Sequence, residues 1–361
     1  MQWSYPILRV GGTEIRIHLT FLLLLVWIGI GYFQEGGTAA AIEGVGFIAA
    51  VFACVVLHEL GHATAARRYG IRTPRITLLP IGGVAELERL PEKPSEEIIV
   101  ALAGPLVNVV IAAFLILVLG ATVGPEALTS MEEPRVAFAA RLAAVNIWLV
   151  LFNLIPAFPM DGGRVLRALL AMRYDRVRAT EIAATIGQFA AFAFGFIGLV
   201  GGNVLLLFVA IFVYLAATAE TQAIGLQDAA RAVDVRDAMI SRFESLPVTA
   251  SLDDAAQALL RTTQHEFPIV DGEGKLRGML TRAGLVTGLQ QSGSKASVVE
   301  VMSADIPVIR DNERLSAALE HLQKGIAPAV GVVDTGGDLI GYVTIENIGE
   351  LLMLRGAVAR R

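Results

Sequence analysis

Charge is scarce in this chain. Asp, Glu, Lys and Arg make up 17% of its 361 residues, against about 25% in an ordinary soluble domain. With hydrophobic residues at 55% and a mean hydropathy of +0.62, the shortage argues against a purely soluble protein. It is also uneven: the first 225 residues hold 31 charged side chains and the last 136 hold 32. A charge-poor membrane part is therefore followed by a soluble part of ordinary composition. There is no basic excess, the net charge being −5, which argues against nucleic acid as a partner. Cysteine is limited to Cys54, so an intrachain disulfide framework is excluded. Met1 leads into polar, aromatic and proline residues rather than a basic stretch and an apolar core, so no cleavable signal peptide is expected.

Because ionisable side chains are costly in hydrocarbon, the charge-free runs locate the membrane spans. Four are 17–34, 44–66 (interrupted only by His58-Glu59-Leu60-Gly61-His62), 98–125 and 142–160. The run 182–219 is too long for one span and breaks at the turn signal Gly201-Gly202-Asn203. That leaves two helices near the ~20 residues a bilayer needs, and six spans in all. Lys and Arg gather on the cytoplasmic side of membrane proteins. Here they precede span one and fill the connections between spans two and three and between four and five. The alternate connections are nearly empty of them, Arg135 and the marginal Arg141 excepted. Both termini are then cytoplasmic, in a multi-pass protein of the cell membrane.

The soluble tail repeats itself at an offset of 63 residues. Asp237-Ala238-Met239 corresponds to Glu300-Val301-Met302, Ile269-Val270-Asp271 to Val332-Val333-Asp334, and Gly274 to Gly278 to Gly337 to Gly341. Each copy reads as a short extended segment, an amphipathic helix, a strand, a glycine turn, a strand and a helix. Two such copies resemble a tandem CBS-domain module. The resemblance implies an adenosine-nucleotide site, with an Asp three residues after a Ser or Thr holding the ribose. The positions three after Thr281 and Thr344 are Gly284 and Asn347, a departure from that pattern. The other reading of the pair is a packing and dimerising module without a ligand.

The strongest local pattern is His58-Glu59-Leu60-Gly61-His62. Residues four apart share a helix face, with Cβ atoms ~5–6 Å apart, so two imidazoles can reach one zinc ion at ~2.0–2.1 Å each. Glu59 lies about 60° round the helix from His62, where it can address the water that such a metal activates. The bland alternative is that the histidines satisfy one another or a backbone carbonyl. A third ligand is needed. Cys54 shares the face but sits about 12 Å along the axis from His62, beyond the reach of one ion, and reads as a buried apolar residue. Asp161 remains, in Asn153-Leu154-Ile155-Pro156-Ala157-Phe158-Pro159-Met160-Asp161-Gly162-Gly163. Irregular backbone framed by two prolines and two glycines is tolerated at membrane depth only inside protein or beside a wet cavity. Asp161 either meets a cation there, or caps the following helix or pairs with Arg164.

These two segments together resemble the site-2 protease family of intramembrane zinc metalloproteases. Its members pair a His-Glu-x-x-His helix with an Asn-x-x-Pro-x-x-Pro-x-Asp-Gly segment, and both stand here in full. The resemblance covers about residues 1–222. It implies His58, His62 and Asp161 as ligands of one Zn²⁺, and Glu59 as the catalytic acid/base. It also implies a substrate or oxyanion role for Asn153 and for Asn108, the latter in Ala103-Gly104-Pro105-Leu106-Val107-Asn108. Asn108 reads equally as a hydrogen-bonding residue between helices. The segment 76–87 reads as two short strands about a Pro/Gly turn, a hairpin that in the family dips into the membrane and pairs with extended substrate.

The expectation is thus a polytopic α-helical membrane protein with a cytoplasmic α+β tandem CBS module. Its parts are a membrane domain at 1–222, a linker at 223–234 and CBS repeats at 235–290 and 297–356. The expected activity is hydrolysis of peptide bonds in membrane-spanning protein substrates, within the lipid bilayer, with a homodimer through the CBS pair. The rival from another class is a CBS-gated metal transporter or channel in which the same residues bind an ion in transit.

Overall fold

The computed structural model describes residues 3–91, 93–124, 137–262, 264–323, 325 and 327–359. Arg135 and Pro125, which figured in the reading of the spans, lie outside them. The chain divides into two units, 1–221 and 222–361.

The first unit opens on β1 (Ser4–Val10) and β2 (Thr13–His18), followed by the 50-residue α1 (Leu19–Arg68). Gly36 and Gly37 leave helical geometry inside α1, with Gly37 at φ 70°, a conformation open to glycine because it lacks Cβ. The expected first and second spans are the two arms on either side of that break. Next come β3 (Arg75–Leu79), β4 (Gly82–Glu86) and α2 (Pro94–Leu117). After them stand α3 (Phe138–Asn153), α4 (Asp161–Ala171), α5 (Arg176–Val200) and α6 (Val204–Arg231). Among the described residues, α1, α2, α5 and α6 are long and apolar enough to cross a bilayer. Their outward residues are apolar: Trp27 is 73% and Leu117 82% exposed, on faces that water would not leave bare over such lengths.

One expectation needs correction, and another gains a conformation. The run 142–160 is not one helix: α3 stops at Asn153 after 16 residues. Pro156 and Pro159 lack the N–H a continuing helix would need, and Asp161 opens α4 instead of closing α3. Residues 223–231, expected as linker, continue α6 as helix, because nothing between Ala219 and Arg231 breaks the helical pattern.

The sheet order is β1-β2-β3-β4. β2 and β3 run parallel, joined by the long crossover of α1, and β3 and β4 form an antiparallel hairpin closed at Leu79 and Gly82. β4 is one of the sheet's two outer strands, β1 being the other. On the helical side, buried Arg167 of α4 donates to Glu97 of α2 at 2.8 Å and to Glu220 of α6. Removing one partner of a buried ion pair strands the other, at a cost of about 3–5 kcal/mol. Arg167→Ala is therefore expected to lower the melting temperature of the detergent-solubilised protein sharply. Adding Glu97→Gln, which removes the stranded charge, should recover part of the loss. An unchanged melting temperature for the single variant would contradict this account.

The second unit holds β5 (Leu246–Pro247), α7 (Leu252–Arg261), β6 (Glu266–Val270), β7 (Leu276–Thr281) and α8 (Arg282–Ser292). It then repeats the order as β8 (Val308–Arg310), α9 (Leu315–Gln323), β9 (Val330–Val333), β10 (Leu339–Val343) and α10 (Ile345–Ala359). Each sheet pairs its first two strands parallel and its last two antiparallel. The copies interlock reciprocally. Ile240 bridges Tyr342 while Met279 bridges Ser303, and Asp234 bridges Arg314 while Ser251 bridges Ser297. In each case one bridge maps onto the other by the 63-residue offset. Gly278 faces Met302 just as Gly341 faces Met239, with no room for a Cβ at either. The repeat in the sequence is thus a pseudo-two-fold in space, in which each copy's leading segment docks on the other copy's last strand.

Candidate metal centre

Helix α1 turns His58 and His62 toward α2, and two glycines let the helices come close enough to use them. A Cβ on Gly61 would stand 2.8 Å from the Ala103 carbonyl. A Cβ on Gly104 would stand 2.2 Å from His62 Nε2 and 2.7 Å from His58 Nε2. The irregular segment after α3 brings in Asp161. Gly162 and Gly163 sit against the backbone of Leu154, Ile155 and Ala157, again without space for a Cβ, so the start of α4 folds tightly back on that segment. The helix N-cap is Met160, with no side-chain cap bond, and Asp161 spends its carboxylate on the histidines instead. Oδ2 lies 3.2 Å from His58 Nε2 and 3.1 Å from His62 Nε2, and the two Nε2 atoms are 3.0 Å apart. All three residues are buried, and they form a cluster suited to a metal ion.

The far sides of the rings decide what this triangle is. His62 Nδ1 is 2.7 Å from the Val100 carbonyl, which only accepts, so Nδ1 carries a proton and Nε2 of the neutral ring a lone pair. His58 Nδ1 is 2.5 Å from Asn108 Oδ1, with the same consequence. Two lone pairs and a carboxylate oxygen then face one another, and Asp161 Oδ2 has no hydrogen-bond donor. Acceptors do not converge in a buried place unless a cation joins them. Tetrahedral zinc with bonds of ~2.0–2.1 Å sets donor–donor separations near 3.3–3.4 Å, close to the spacing here. Two imidazoles and one carboxylate are a zinc donor set that leaves a fourth position open.

Glu59 stands beside this cluster without joining it. It lines a cavity of about 380 Å³ with His58, His62, Asp161, Asn153 and Gly83. Gly83 belongs to β4, and a Cβ there would press on Glu59 Cγ at 2.8 Å, so the edge strand lies directly against the glutamate. Asn153 donates Nδ2 to the Leu149 carbonyl at 2.9 Å and faces the same cavity. Arg164 lines the cavity too. Asn108 is placed otherwise than its expected substrate role would need. It is fully buried, its Oδ1 is on His58, its Nδ2 donates to Asn146 Oδ1 at 2.7 Å, and it is not among the cavity-lining residues. Cys54 stays out of the cluster, 3.4 Å from Asn146 Nδ2.

Three participants escaped the sequence reading: the Val100 carbonyl, Gly104 and Asn146. A backbone carbonyl leaves no mark on residue identity. Gly104 was noticed only within its motif. Asn146 could have been flagged as an amide inside an apolar run, which must find a partner.

The family model of peptidase family M50 matches residues 46–137 and 127–198, and that of the CBS domain matches 235–290 and 298–353. A zinc metalloprotease of Methanocaldococcus jannaschii is 34% identical over 281 residues, 78% of each chain. This chain belongs to peptidase family M50. Another similar protein, Rip3 of Mycobacterium tuberculosis, is 30% identical over 377 residues, 98% of this M50 chain and 93% of Rip3. The solved structure of a site-2 protease from Methanocaldococcus jannaschii is 35% identical, covering 61% of this chain and 95% of its own, with a TM-score of 0.46.

In the CBS pair, Thr281 and Thr344 each cap a helix. Thr281 Oγ1 accepts from Gly284 N at 3.0 Å, and Thr344 Oγ1 donates to Asn347 Oδ1 at 2.6 Å. Beside Thr344 and Asn347 lies a cleft of about 620 Å³ that also holds Arg242, Glu266, Glu346 and Glu350.

Proposed function

We propose that this M50 chain is an intramembrane zinc endopeptidase that hydrolyses peptide bonds of membrane-spanning protein substrates. The observation that carries the reading is the convergence of His58 Nε2, His62 Nε2 and Asp161 Oδ2, all acceptors, beside a glutamate that is not part of the triangle. These three side chains would hold the ion. When bound, zinc supplies a Lewis acid that polarises the scissile carbonyl and makes water deprotonate near neutral pH. Glu59 takes the proton from the attacking water and hands it to the leaving amine nitrogen. Asn153, with one amide hydrogen on Leu149, offers the other to the carbonyl oxygen of the bond being cut. The unpaired edge of β4 lies along the cavity and suits an extended substrate strand, adding main-chain hydrogen bonds as in other edge-strand complexes. A substrate helix must unwind to present that edge.

The membrane domain at 1–222 crosses the bilayer six times in this reading, α1 contributing two spans through its break at Gly36–Gly37 and the short α3 another. Both termini are cytoplasmic, as the Lys and Arg distribution supports. The CBS repeats, 235–290 and 297–356, follow a connection at 223–234 and form a regulatory or dimerising module. An adenosine nucleotide is the proposed ligand of the cleft beside Thr344, whose volume lies within the range of small-molecule sites.

The protein purified in detergent is expected to hold one zinc per chain. Dialysis against a chelator should abolish cleavage of a single-span test substrate, and stoichiometric zinc should restore it. His58→Ala should hold almost none. Full cleavage by zinc-free protein would sink the reading.

A further inference from the structure

We propose that Asn146 of α3, outside the motifs that mark the site, is a positioning residue that fixes the ring tautomer of His58 through Asn108. The proposal rests on the zinc reading above. Three hydrogen bonds run in series through fully buried side chains. Asn146 Nδ2 donates to the Leu142 carbonyl at 2.8 Å, Asn108 Nδ2 donates to Asn146 Oδ1 at 2.7 Å, and Asn108 Oδ1 faces His58 Nδ1 at 2.5 Å. The direction of the series is set at its far end. A backbone carbonyl only accepts, so the amide nitrogen of Asn146 must face Leu142. The second hydrogen of that nitrogen points toward Cys54 Sγ at 3.4 Å, a weak acceptor. The oxygen of Asn146 is therefore left for Asn108, which must turn its own nitrogen to Asn146 and its oxygen to His58.

An amide acting alone would not do this. Rotated by 180°, Asn108 would present its NH₂ to His58 Nδ1, move the ring proton to Nε2 and remove the lone pair that faces Asp161. With Asn146 anchored, that rotation sets Asn108 Oδ1 against Asn146 Oδ1. If Asn146 rotates as well, its oxygen meets the Leu142 carbonyl. Either way two acceptors are buried against each other without a hydrogen. Hydrogen bonds behind a metal-ligating histidine fix its tautomer and ring orientation, and losing one typically costs 10–100-fold in metal affinity. His62 gets the same service from the Val100 carbonyl alone. His58 gets it through two side chains, and this makes its tautomer open to substitution.

Two variants of the full-length protein test the inference, with zinc affinity read by competition against a chelating dye and Co²⁺ as a spectroscopic probe. Asn146→Leu keeps the volume but neither donates nor accepts, freeing Asn108 to turn. It is expected to weaken zinc binding about 10–100-fold and to shift the visible Co²⁺ bands, beyond the modest drop in melting temperature that the unpaired Asn108 amide costs. Asn146→Asp, in its neutral form, donates its hydroxyl to the Leu142 carbonyl and keeps an acceptor for Asn108, and is expected to bind zinc like the parent. Parent-like zinc affinity in Asn146→Leu would overturn the proposal, as would equal losses in both variants. A parent protein that takes up no zinc overturns the reading of the site itself, and this proposal with it.

Discussion

Glu59→Gln is expected to lower cleavage of a membrane-spanning substrate by about 10²–10⁴-fold, the usual contribution of a positioned acid/base, while zinc content stays at the parent level. The separation of the two readouts follows from geometry. Glu59 lines the cavity beside the His58–His62–Asp161 cluster but is not one of the three clustered donors. An amide of the same shape preserves the packing against Gly83 and loses only the capacity to accept a proton. In barrier terms the expected loss is roughly 3–5 kcal/mol, at about 1.4 kcal/mol per tenfold. The same variant separates the protease from the ion-conducting alternative, which family membership does not favour. A conduit has no use for a base, so ion flux would survive the substitution. In cells, the substrate should accumulate at full length in membranes holding the Gln variant, and a comparison of membrane proteins between the two strains would reveal it. Cleavage that persists at the parent rate would remove Glu59 from the mechanism.

Gly104→Ala is the second large effect, and it adds only a methyl group. That methyl would stand 2.2 Å from His62 Nε2, 2.5 Å from His62 Cε1 and 2.7 Å from His58 Nε2, all well inside contact distance. The rings cannot swing away cheaply, because His58 is held by Asn108 and His62 by the Val100 carbonyl, and both holders belong to α2, as Gly104 does. Either the rings lose those bonds or α1 and α2 separate. Zinc affinity is expected to fall by at least about 100-fold, the upper end of what disturbed support of metal ligands costs, and cleavage with it. The helix itself should not suffer, since alanine is favoured over glycine in a helix interior by about 1 kcal/mol. Zinc per chain after gel filtration measures the effect. Gly46→Ala serves as a control: it is another helical glycine, with nothing near its would-be Cβ, and should leave zinc binding intact. A fully loaded Gly104→Ala protein would show that the histidines are not held where the structure has them.

Much of the candidate site was legible before any fold was known, for local reasons. His58 and His62 share a face because helix periodicity alone puts residues four apart side by side. Asp161 stood out because few ionisable groups survive in apolar runs and because prolines and glycines surround it. The break at Gly201-Gly202-Asn203 was equally local, and α5 and α6 end and begin around it. Hydropathy served less well where it was asked to mark helix ends. The apolar run 142–160 keeps its hydropathy past Asn153 although the helix stops there, since proline changes hydrogen bonding without changing polarity. The linker at 223–234 is helical as far as Arg231, because polarity marks the end of a span and not the end of a helix. Asn108 had two readings, and the choice needed the position of a residue 38 places away.

The sequence by itself determined the charge-poor membrane half, the 63-residue repeat, and the types and local spacing of the donor side chains. These follow from composition and from the fixed periods of helix and strand. Only the tertiary structure decided which ring nitrogen of each histidine faces Asp161, why Gly104 has no side chain, that Asn146 stands behind Asn108 and His58, and how the two CBS copies clasp each other. Each of those depends on how far one helix is rotated about its axis and how closely it approaches the next. That is settled by packing among segments dozens of residues apart, and no local pattern records it.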